Sequence, residues 1–169
     1  MIEGGNLLSI VEEKDASEGQ KKITLCNGGI MLFDGALLPK LLAGITSNNA
    51  KGEFYLTDTI AVARQLGHVC AHVEIDYEDV MGVNTRADLA AVELIMQKRL
   101  RVKALANGAT LTDPSTVWFS WDTVLGQDVV IGPNVVFGPG VTVADSVEIL
   151  AFCHLEGATV GEGARIGPY

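Results

Sequence analysis

Apolar positions follow a six-residue period in the last third of the chain. Valine holds the fifth place of each hexad, and glycine follows the first three of the recurring aliphatic or aromatic positions. Those recurring positions are Leu125, Ile131, Phe137, Val143 and Ile149. A six-residue unit is one short strand plus a bend, and three units close a triangular coil whose apolar side chains stack inward. The pattern therefore predicts a parallel β-helix of about two and a half coils over residues 110–169.

Residues 1–109 mix short strand-like runs with helical periods, which predicts an α/β unit. Strands are predicted over 6–11, 22–26, 30–33 and 69–75. Helices are predicted after Asp34, from Thr57 or Asp58 to Gly67, and from residue 85 to residue 106. In the last helix, Leu89, Val92, Met96, Leu100 and Lys103 form the expected buried stripe. We expect Trp118, Phe119 and Trp121 to cover the open top of the coil.

Composition narrows the function classes. Hydrophobic residues make up 48% of the 169 residues and charged residues 20%, which is typical of a folded globular protein. The formal charge of −9 argues against a nucleic-acid partner. No run approaches the ~20 apolar residues of a membrane helix and the N-terminus has no signal-peptide pattern, so we expect a cytoplasmic protein without a membrane partner. Three widely spaced cysteines favour reduced thiols over a disulfide framework.

Five motifs occur in order ahead of the hexads. They are IVEEKDA (10–16), CNGGIM (26–31), NNAKGEFYLTDTI (48–60), GVNTRADL (82–89) and LTDP (111–114). Together with the hexads, they resemble the bifunctional N-acetylglucosamine-1-phosphate uridyltransferase/glucosamine-1-phosphate acetyltransferase family of bacteria, the GlmU family. The resemblance covers essentially the whole chain.

The resemblance implies a fold for each part. Residues 1–109 are expected to be the C-terminal portion of a Rossmann-like nucleotidyltransferase domain. Residues 110–169 are expected to be the first coils of a β-helix that forms homotrimers. General crossover chirality would favour a right-handed coil, whereas the resemblance implies a left-handed one. The chain has no counterpart of the family's N-terminal nucleotide-binding loop and stops before its acetyltransfer residues, so we expect negligible activity from the chain alone.

The resemblance also assigns roles to five residues. Glu12 and Asn27 match sugar-binding positions, and Tyr55 with Thr57 matches the pocket wall near the N-acetyl group. Asn84 matches an asparagine that contacts the sugar phosphate and Mg²⁺, although the aspartate that shares the ion has no counterpart. Mg²⁺ prefers such hard oxygen donors.

Each of these assignments has a purely structural alternative. Asn84 is also a favoured N-cap for the long helix, and Thr57 could cap the preceding one. Without the resemblance, Glu12 is interpreted as an exposed charge. Asn27 is interpreted as a turn residue ahead of two glycines. Gly28 stands where the family usually has threonine, which leaves the contact at that position open.

A zinc site at His68, Cys70 and His72 is a weaker possibility. The three residues would point the same way on one strand, but zinc ligands normally converge from more than one direction. We therefore do not expect a metal there.

The implied reaction joins N-acetylglucosamine 1-phosphate to UTP with Mg²⁺ and gives UDP-N-acetylglucosamine, a precursor for peptidoglycan and lipopolysaccharide. Such a transfer depends on alignment and charge neutralisation more than on covalent chemistry by the protein. The alternative is a non-catalytic hexapeptide module for trimerisation or partner binding. Acetyl transfer by this chain ranks last, because the residues for it are missing.

Overall fold

The computed structural model describes residues 1–169, which form two compact units, Met1–Met81 and Gly82–Tyr169. This division places the long helix in the same unit as the hexads, whereas the change in sequence pattern falls near residue 110. No helix is both long and apolar enough to cross a membrane.

The first unit contains little regular structure. Its only strands are β1 (Ile2–Glu3) and β2 (Asn6–Leu7), which pair antiparallel. Its α-helices are α1 (Leu38–Ala43) and α2 (Thr59–Gln65), and 3-10 turns cover Glu13–Asp15, Gln20–Lys22, Leu56–Asp58 and Tyr77–Asp79. The predicted helices are confirmed in shortened form.

A small core lies at the two helices of this unit. A Cβ atom built on Gly44 would lie 2.7 Å from Cγ1 of Val62, so the end of α1 comes close to α2 only because residue 44 has no side chain. The buried residues of this core are Leu41, Thr57, Thr59, Ile60 and Ala63.

Three of the predicted strands are wrong. Residues 22–26, 30–33 and 69–75 form no strand, and the segment 6–11 forms one only at β2. Val73 is 84% exposed, although the alternating pattern predicted a half-buried strand there. A strand persists only where a neighbour pairs with its backbone repeatedly, and the one such contact of residues 69–75 with another segment is the hydrogen bond from the Leu7 N–H to the Cys70 carbonyl oxygen at 2.9 Å. A Rossmann-like sheet is accordingly not formed over residues 1–81.

The second unit begins with α3 (Arg86–Ala106), as predicted. Nine two-residue strands follow: β3 (Thr110–Leu111), β4 (Val124–Leu125), β5 (Val130–Ile131), β6 (Val136–Phe137), β7 (Thr142–Val143), β8 (Glu148–Ile149), β9 (His154–Leu155), β10 (Thr159–Val160) and β11 (Arg165–Ile166). All pair in parallel, in three sheets with the orders β3-β5-β8-β11, β4-β7-β10 and β6-β9.

These three sheets are the faces of a parallel β-solenoid of about three turns, which matches a left-handed β-helix of hexapeptide repeats. Val130 pairs with Glu148 and Val136 with His154, so one turn takes three hexads. The turn that ends at β10 is one residue shorter, because Leu155 and Val160 are five positions apart. The fold prediction for residues 110–169 is thus confirmed as a β-solenoid.

The inner column of the coil is the main core of the molecule. Ile131 and Phe137 are almost fully buried, and Leu125, in the first of the regular hexads, is partly buried against them. The fifth-place valines are equally buried: Val129, Val135, Val141 and Val147. Both hexad positions therefore point inward, as the period predicts.

The corners of the coil explain the hexad glycines. A Cβ atom on Gly132 would lie 2.7 Å from the backbone nitrogen of Ala151 in the next turn, so only glycine allows the turns to stack this closely. Asp128 and Asn134 adopt positive φ angles of 57° and 56° at their bends, a conformation that short polar residues tolerate best.

Helix α3 covers the first turn of the coil with polar contacts. Gln97 is fully buried and pairs with the Phe119 backbone: its Nε2 donates to the carbonyl oxygen at 2.7 Å, and its Oε1 accepts from the N–H at 2.9 Å. Arg101 Nε donates to the Val117 carbonyl oxygen at 2.8 Å. Side chains of α3 thus supply hydrogen bonds that a further strand would supply elsewhere in the coil.

This arrangement corrects two predictions. The stripe of α3 that faces the coil includes Gln97 and Ala104 together with the predicted Leu100. The predicted Leu89, Met96 and Lys103 are exposed. Phe119 is buried and stacks on Phe137 with ring centroids 5.0 Å apart. Trp118 and Trp121 are 39% and 79% exposed, so Phe119 is the one of the three aromatic residues that lies in the core.

Candidate functional site

Glu12 lies at the entrance of a short turn in the first unit. Its backbone is extended, its carbonyl oxygen accepts the Asp15 N–H at 3.0 Å, and its side chain is exposed. The turn directs Asp15 toward another segment, where Asp15 Oδ1 accepts the Ala50 N–H at 2.8 Å. This hydrogen bond joins the IVEEKDA motif to the segment that leads to Tyr55 and Thr57.

Tyr55 directly precedes the 3-10 turn Leu56–Asp58, and Thr57 lies within that turn. The Tyr55 hydroxyl and the Thr57 Oγ1 are both buried, and neither has a hydrogen-bond partner. The neighbouring Thr59, by contrast, donates its hydroxyl hydrogen bond to the Leu56 carbonyl oxygen. Buried hydroxyls without partners are uncommon in folded proteins, and each calls for a specific explanation.

The alternative role of Thr57 as a helix cap is wrong. The N-cap position of α2 is Asp58, and no side chain caps the helix there. Thr57 instead lies one residue ahead, 9% exposed, with its hydroxyl unused.

Carboxylates surround Tyr55. Burial raises the pKa of Tyr55, and the negative charges of Asp15, Glu53, Glu12 and Asp58 raise that pKa further, in this order. The phenol is therefore neutral at physiological pH and remains a hydrogen-bond donor. Asp15, Glu53 and Asp58 were not among the residues predicted from the sequence, although all three lie within the quoted motifs.

Asn27 forms a tight turn with the glycines that follow it. Its Oδ1 accepts the Gly29 N–H at 3.2 Å, and Gly29 has a positive φ of 82°, which glycine adopts without strain. The turn interpretation of Asn27 is therefore correct. The side-chain NH₂ donates no hydrogen bond within the chain, so a binding role is compatible with the turn.

Gly28 has a steric reason to be glycine. A Cβ atom built there would lie 3.0 Å from both Cβ and Cγ1 of Val80, and 3.2 Å from its Cγ2. The side chain of Val80 thus occupies the space into which a side chain at position 28 would extend.

Asn84 lies in the second unit, immediately before α3. The alternative role of Asn84 as the N-cap is wrong, because Thr85 caps this helix. The Thr85 Oγ1 accepts the Asp88 N–H at 3.1 Å, and Asp88 Oδ2 accepts the N–H groups of Thr85 and Asn84 at 2.8 Å and 3.1 Å. The exposed Asn84 side chain is therefore not needed for capping.

The residues present do not by themselves make a Mg²⁺ site. Asn84 offers one neutral amide oxygen, and its acidic neighbour Asp88 is engaged in the cap. No group of three or more His, Cys, Asp or Glu side chains is placed to hold a metal ion. At the weaker zinc candidate, residues 68–75 form no strand.

The structure thus brings the predicted site residues together only in part. Glu12, Tyr55 and Thr57 share one neighbourhood of the first unit, linked by the Asp15 contact and by the charge of Glu12 on Tyr55. Asn27 lies in the same unit and packs through its neighbour Gly28 on Val80. Asn84 belongs to the second unit.

Comparisons with known proteins identify relatives of this chain. Residues 122–157 match the family model "Bacterial transferase hexapeptide (six repeats)". The chain is 53% identical over 163 residues to the "Bifunctional protein GlmU" of Paramagnetospirillum magneticum, a match that covers 96% of this chain and 36% of the relative. The proteins of the same name from Rhodospirillum rubrum and Sphingopyxis alaskensis are 56% and 50% identical, over 94% and 100% of this chain.

These three matches cover between 35% and 38% of the relatives' lengths. The aligned regions nevertheless take in between 94% and 100% of this chain. The chain therefore belongs to the GlmU family, and it spans a little more than a third of the length of these members.

Proposed function

We propose that this chain supplies the sugar side of a uridylyl-transfer centre and the start of a hexapeptide coil for assembly. The ligand is N-acetylglucosamine 1-phosphate or UDP-N-acetylglucosamine, and the transferase as a whole serves the synthesis of cell-wall precursors in the cytoplasm. The residues assigned to the ligand are Glu12, Asn27, Tyr55, Thr57 and Asn84.

The observation that carries this proposal is the pair of unpartnered hydroxyls on Tyr55 and Thr57. A buried hydroxyl without a partner costs about 1–3 kcal/mol, which a ligand can recover by hydrogen bonding. An N-acetyl group offers both a carbonyl acceptor and an N–H donor beside its methyl group. The tyrosine ring and the two hydroxyls match this combination of apolar and polar surface.

The charge around Tyr55 favours the sugar ring over its phosphate. Carboxylates such as Glu12 accept hydrogen bonds from sugar hydroxyls, whereas four nearby negative charges repel a phosphate. The phosphate therefore needs positive charge from outside this neighbourhood. Asn84 can contribute one oxygen ligand to Mg²⁺, which when bound would neutralise phosphate charge.

Asn84 is the one Mg²⁺ ligand that this chain offers. We therefore propose that the chain does not catalyse uridylyl transfer alone. Pyrophosphate release from UTP, N-acetylglucosamine 1-phosphate and Mg²⁺ tests this part. The expected rate is no higher than that of a control without protein. Clear turnover by the purified chain would contradict it.

Calorimetric titration with N-acetylglucosamine 1-phosphate tests the sugar site. Tyr55→Phe and Thr57→Val remove one unpartnered oxygen each with little change of shape. Both variants should bind the sugar phosphate several-fold more weakly, while their ligand-free forms are at least as stable as the unmodified chain. Tyr77→Phe is the matched control, because Tyr77 is largely exposed. Equal affinity for all four proteins, or no binding by the unmodified chain, would overturn the assignment.

A second candidate role, assembly through the coil, has its own support. Trp118 and Val136 are register neighbours on one face of the coil, and both are partly exposed apolar side chains. Light scattering of the chain should give the mass of a homotrimer, and Val136→Asp should reduce it. A monomer at all concentrations would leave no role for the coil in self-assembly.

A further inference from the structure

The loop that carries Asn27 is fixed from two sides. Within the loop, the Asn27 Oδ1 accepts the Gly29 N–H, which holds the turn closed. From outside, Val80 approaches the Gly28 backbone so closely that a Cβ atom there would lie 3.0 Å from its Cβ and Cγ1 atoms. Ordinary contacts of a Cβ atom lie between 3.4 and 4 Å. A side chain at position 28 would therefore need Val80 to move away from the loop by a few tenths of an ångström.

Val80 is itself held in place. It closes the 3-10 turn Tyr77–Asp79, where its N–H donates to the Tyr77 carbonyl oxygen at 3.1 Å, and it is half-buried. The backbone φ of Gly28 is outside the left-handed range that L-residues avoid. A side chain at position 28 would thus clash with Val80, but it would not strain the backbone at that position.

We infer that Val80 is a positioning residue for Asn27. The Val80 side chain packs against Gly28 and so fixes the position of the turn. The position of the turn in turn fixes the direction of the unbonded Asn27 NH₂ group. Positions 28 and 80 then act as one steric unit, in which a side chain at position 28 displaces Val80 from the loop. This inference rests on the proposed sugar role of Asn27, and it adds a residue that makes no contact with the sugar.

The test compares Gly28→Thr, Val80→Gly and the double variant with the unmodified chain. Calorimetric titration uses N-acetylglucosamine 1-phosphate as the probe. Gly28→Thr should weaken binding at least fivefold, Val80→Gly two- to threefold, and the double variant should return to within about twofold of the unmodified chain, because the opposing side chain is gone. Gly35→Thr is the matched control, since a Cβ atom at Gly35 meets nothing within 4 Å. Gly28→Ala serves as a milder substitution if Gly28→Thr does not fold.

A second readout does not depend on sugar binding. The side-chain amide resonances of Asn27 in ¹H–¹⁵N spectra should shift in Gly28→Thr, return in the double variant and stay unchanged in Gly35→Thr. If the unmodified chain binds no sugar while these resonances behave as expected, the sugar role fails and the positioning role stands. The positioning role is wrong if the Asn27 resonances do not move in Gly28→Thr. It is also wrong if the double variant restores neither the resonances nor sugar binding.

Discussion

Ile30 and Ile131 have the same side chain and lie in similar apolar runs, yet Ile30 is 74% exposed and Ile131 fully buried. Ile131 belongs to β5, which pairs on both sides, with β3 and with β8. Ile30 follows Gly28 and Gly29 in a segment without any strand partner. The two units therefore differ in whether an apolar run has strands to pair with, and not in the composition of the runs.

In the coil, the sequence repeat supplies each strand with its pairing partners. Each strand meets another strand one turn away along the chain, so the same six-residue unit supplies both the side chains of the core and the backbone partners. The first unit has no repeat, and its apolar runs would need partners from distant segments. An apolar run is thus sufficient for a strand only where the partner is specified by the same pattern.

The largest expected effect separates the two isoleucines. Ile131→Ala should lower the free energy of unfolding by about 3–4 kcal/mol, because it leaves a cavity in a column that cannot collapse. Ile30→Ala should change it by less than about 0.5 kcal/mol, since its side chain is mostly in water. Chemical denaturation followed by far-ultraviolet circular dichroism measures both. Equal losses for the two variants would remove the contrast between the units.

The sequence predicts the coil well because its rule is local. The period fixes the inner positions, and the structure buries Ile131, Phe137 and the fifth-place valines. The five-residue step between Leu155 and Val160 is also visible in the sequence as a break in the period. The extent of α3 follows from its helical period, but the assignment of the N-cap to Asn84 overlooked the capping-box pattern of the Thr85-Arg86-Ala87-Asp88 run.

The rest depends on contacts that no local pattern encodes. Gln97 interrupts an apolar stripe and would be placed in solvent by its polarity, but it is buried because its amide meets the Phe119 backbone. The candidate site is similar: the motifs point to Glu12 and Tyr55, whereas their link through Asp15 and Ala50 bridges 35 positions of sequence. The contact between Gly28 and Val80 joins segments that are still farther apart along the chain.

Gln97 allows the comparison to be sharpened at the edge of the coil. Gln97→Ala should destabilise the chain by about 2–3 kcal/mol, because the buried N–H and carbonyl groups of Phe119 both lose their side-chain partner. Gln65→Ala, at the exposed end of α2 in the first unit, should cost less than about 0.5 kcal/mol. Chemical denaturation followed by far-ultraviolet circular dichroism measures both variants, and the fluorescence of Trp118 and Trp121 reports the second unit separately. A small effect of Gln97→Ala would mean that the edge of the coil needs no partner.

Phe152 offers a smaller effect of opposite sign. It occupies the corner that Asn134 occupies one turn earlier, with φ angles of 62° and 56°. A bulky residue is strained in this conformation, whereas asparagine tolerates it. Phe152→Asn should therefore raise the free energy of unfolding by about 0.5–1 kcal/mol, despite the lost ring contact with Tyr169. Phe54→Asn, an exposed site of the first unit without a positive φ, should bring no gain; equal changes at both sites would argue against strain at the corner.

The smallest effect is the acid response of the cap on α3. Hydrogen bonds from the Thr85 hydroxyl and from the backbone N–H groups of Asn84 and Thr85 lower the pKa of Asp88 below its ordinary value of 3.8. A carboxyl group whose pKa is lower in the folded chain than in the unfolded chain stabilises the fold at every pH above the unfolded-state pKa. For Asp88, this stabilisation is lost as the pH falls below 3.8 toward the folded-state pKa. Denaturation midpoints between pH 6 and pH 3, read by tryptophan fluorescence, should fall more steeply for the unmodified chain than for Asp88→Asn, whose amide does not titrate. Identical slopes would show that the charge of Asp88 adds nothing to the cap.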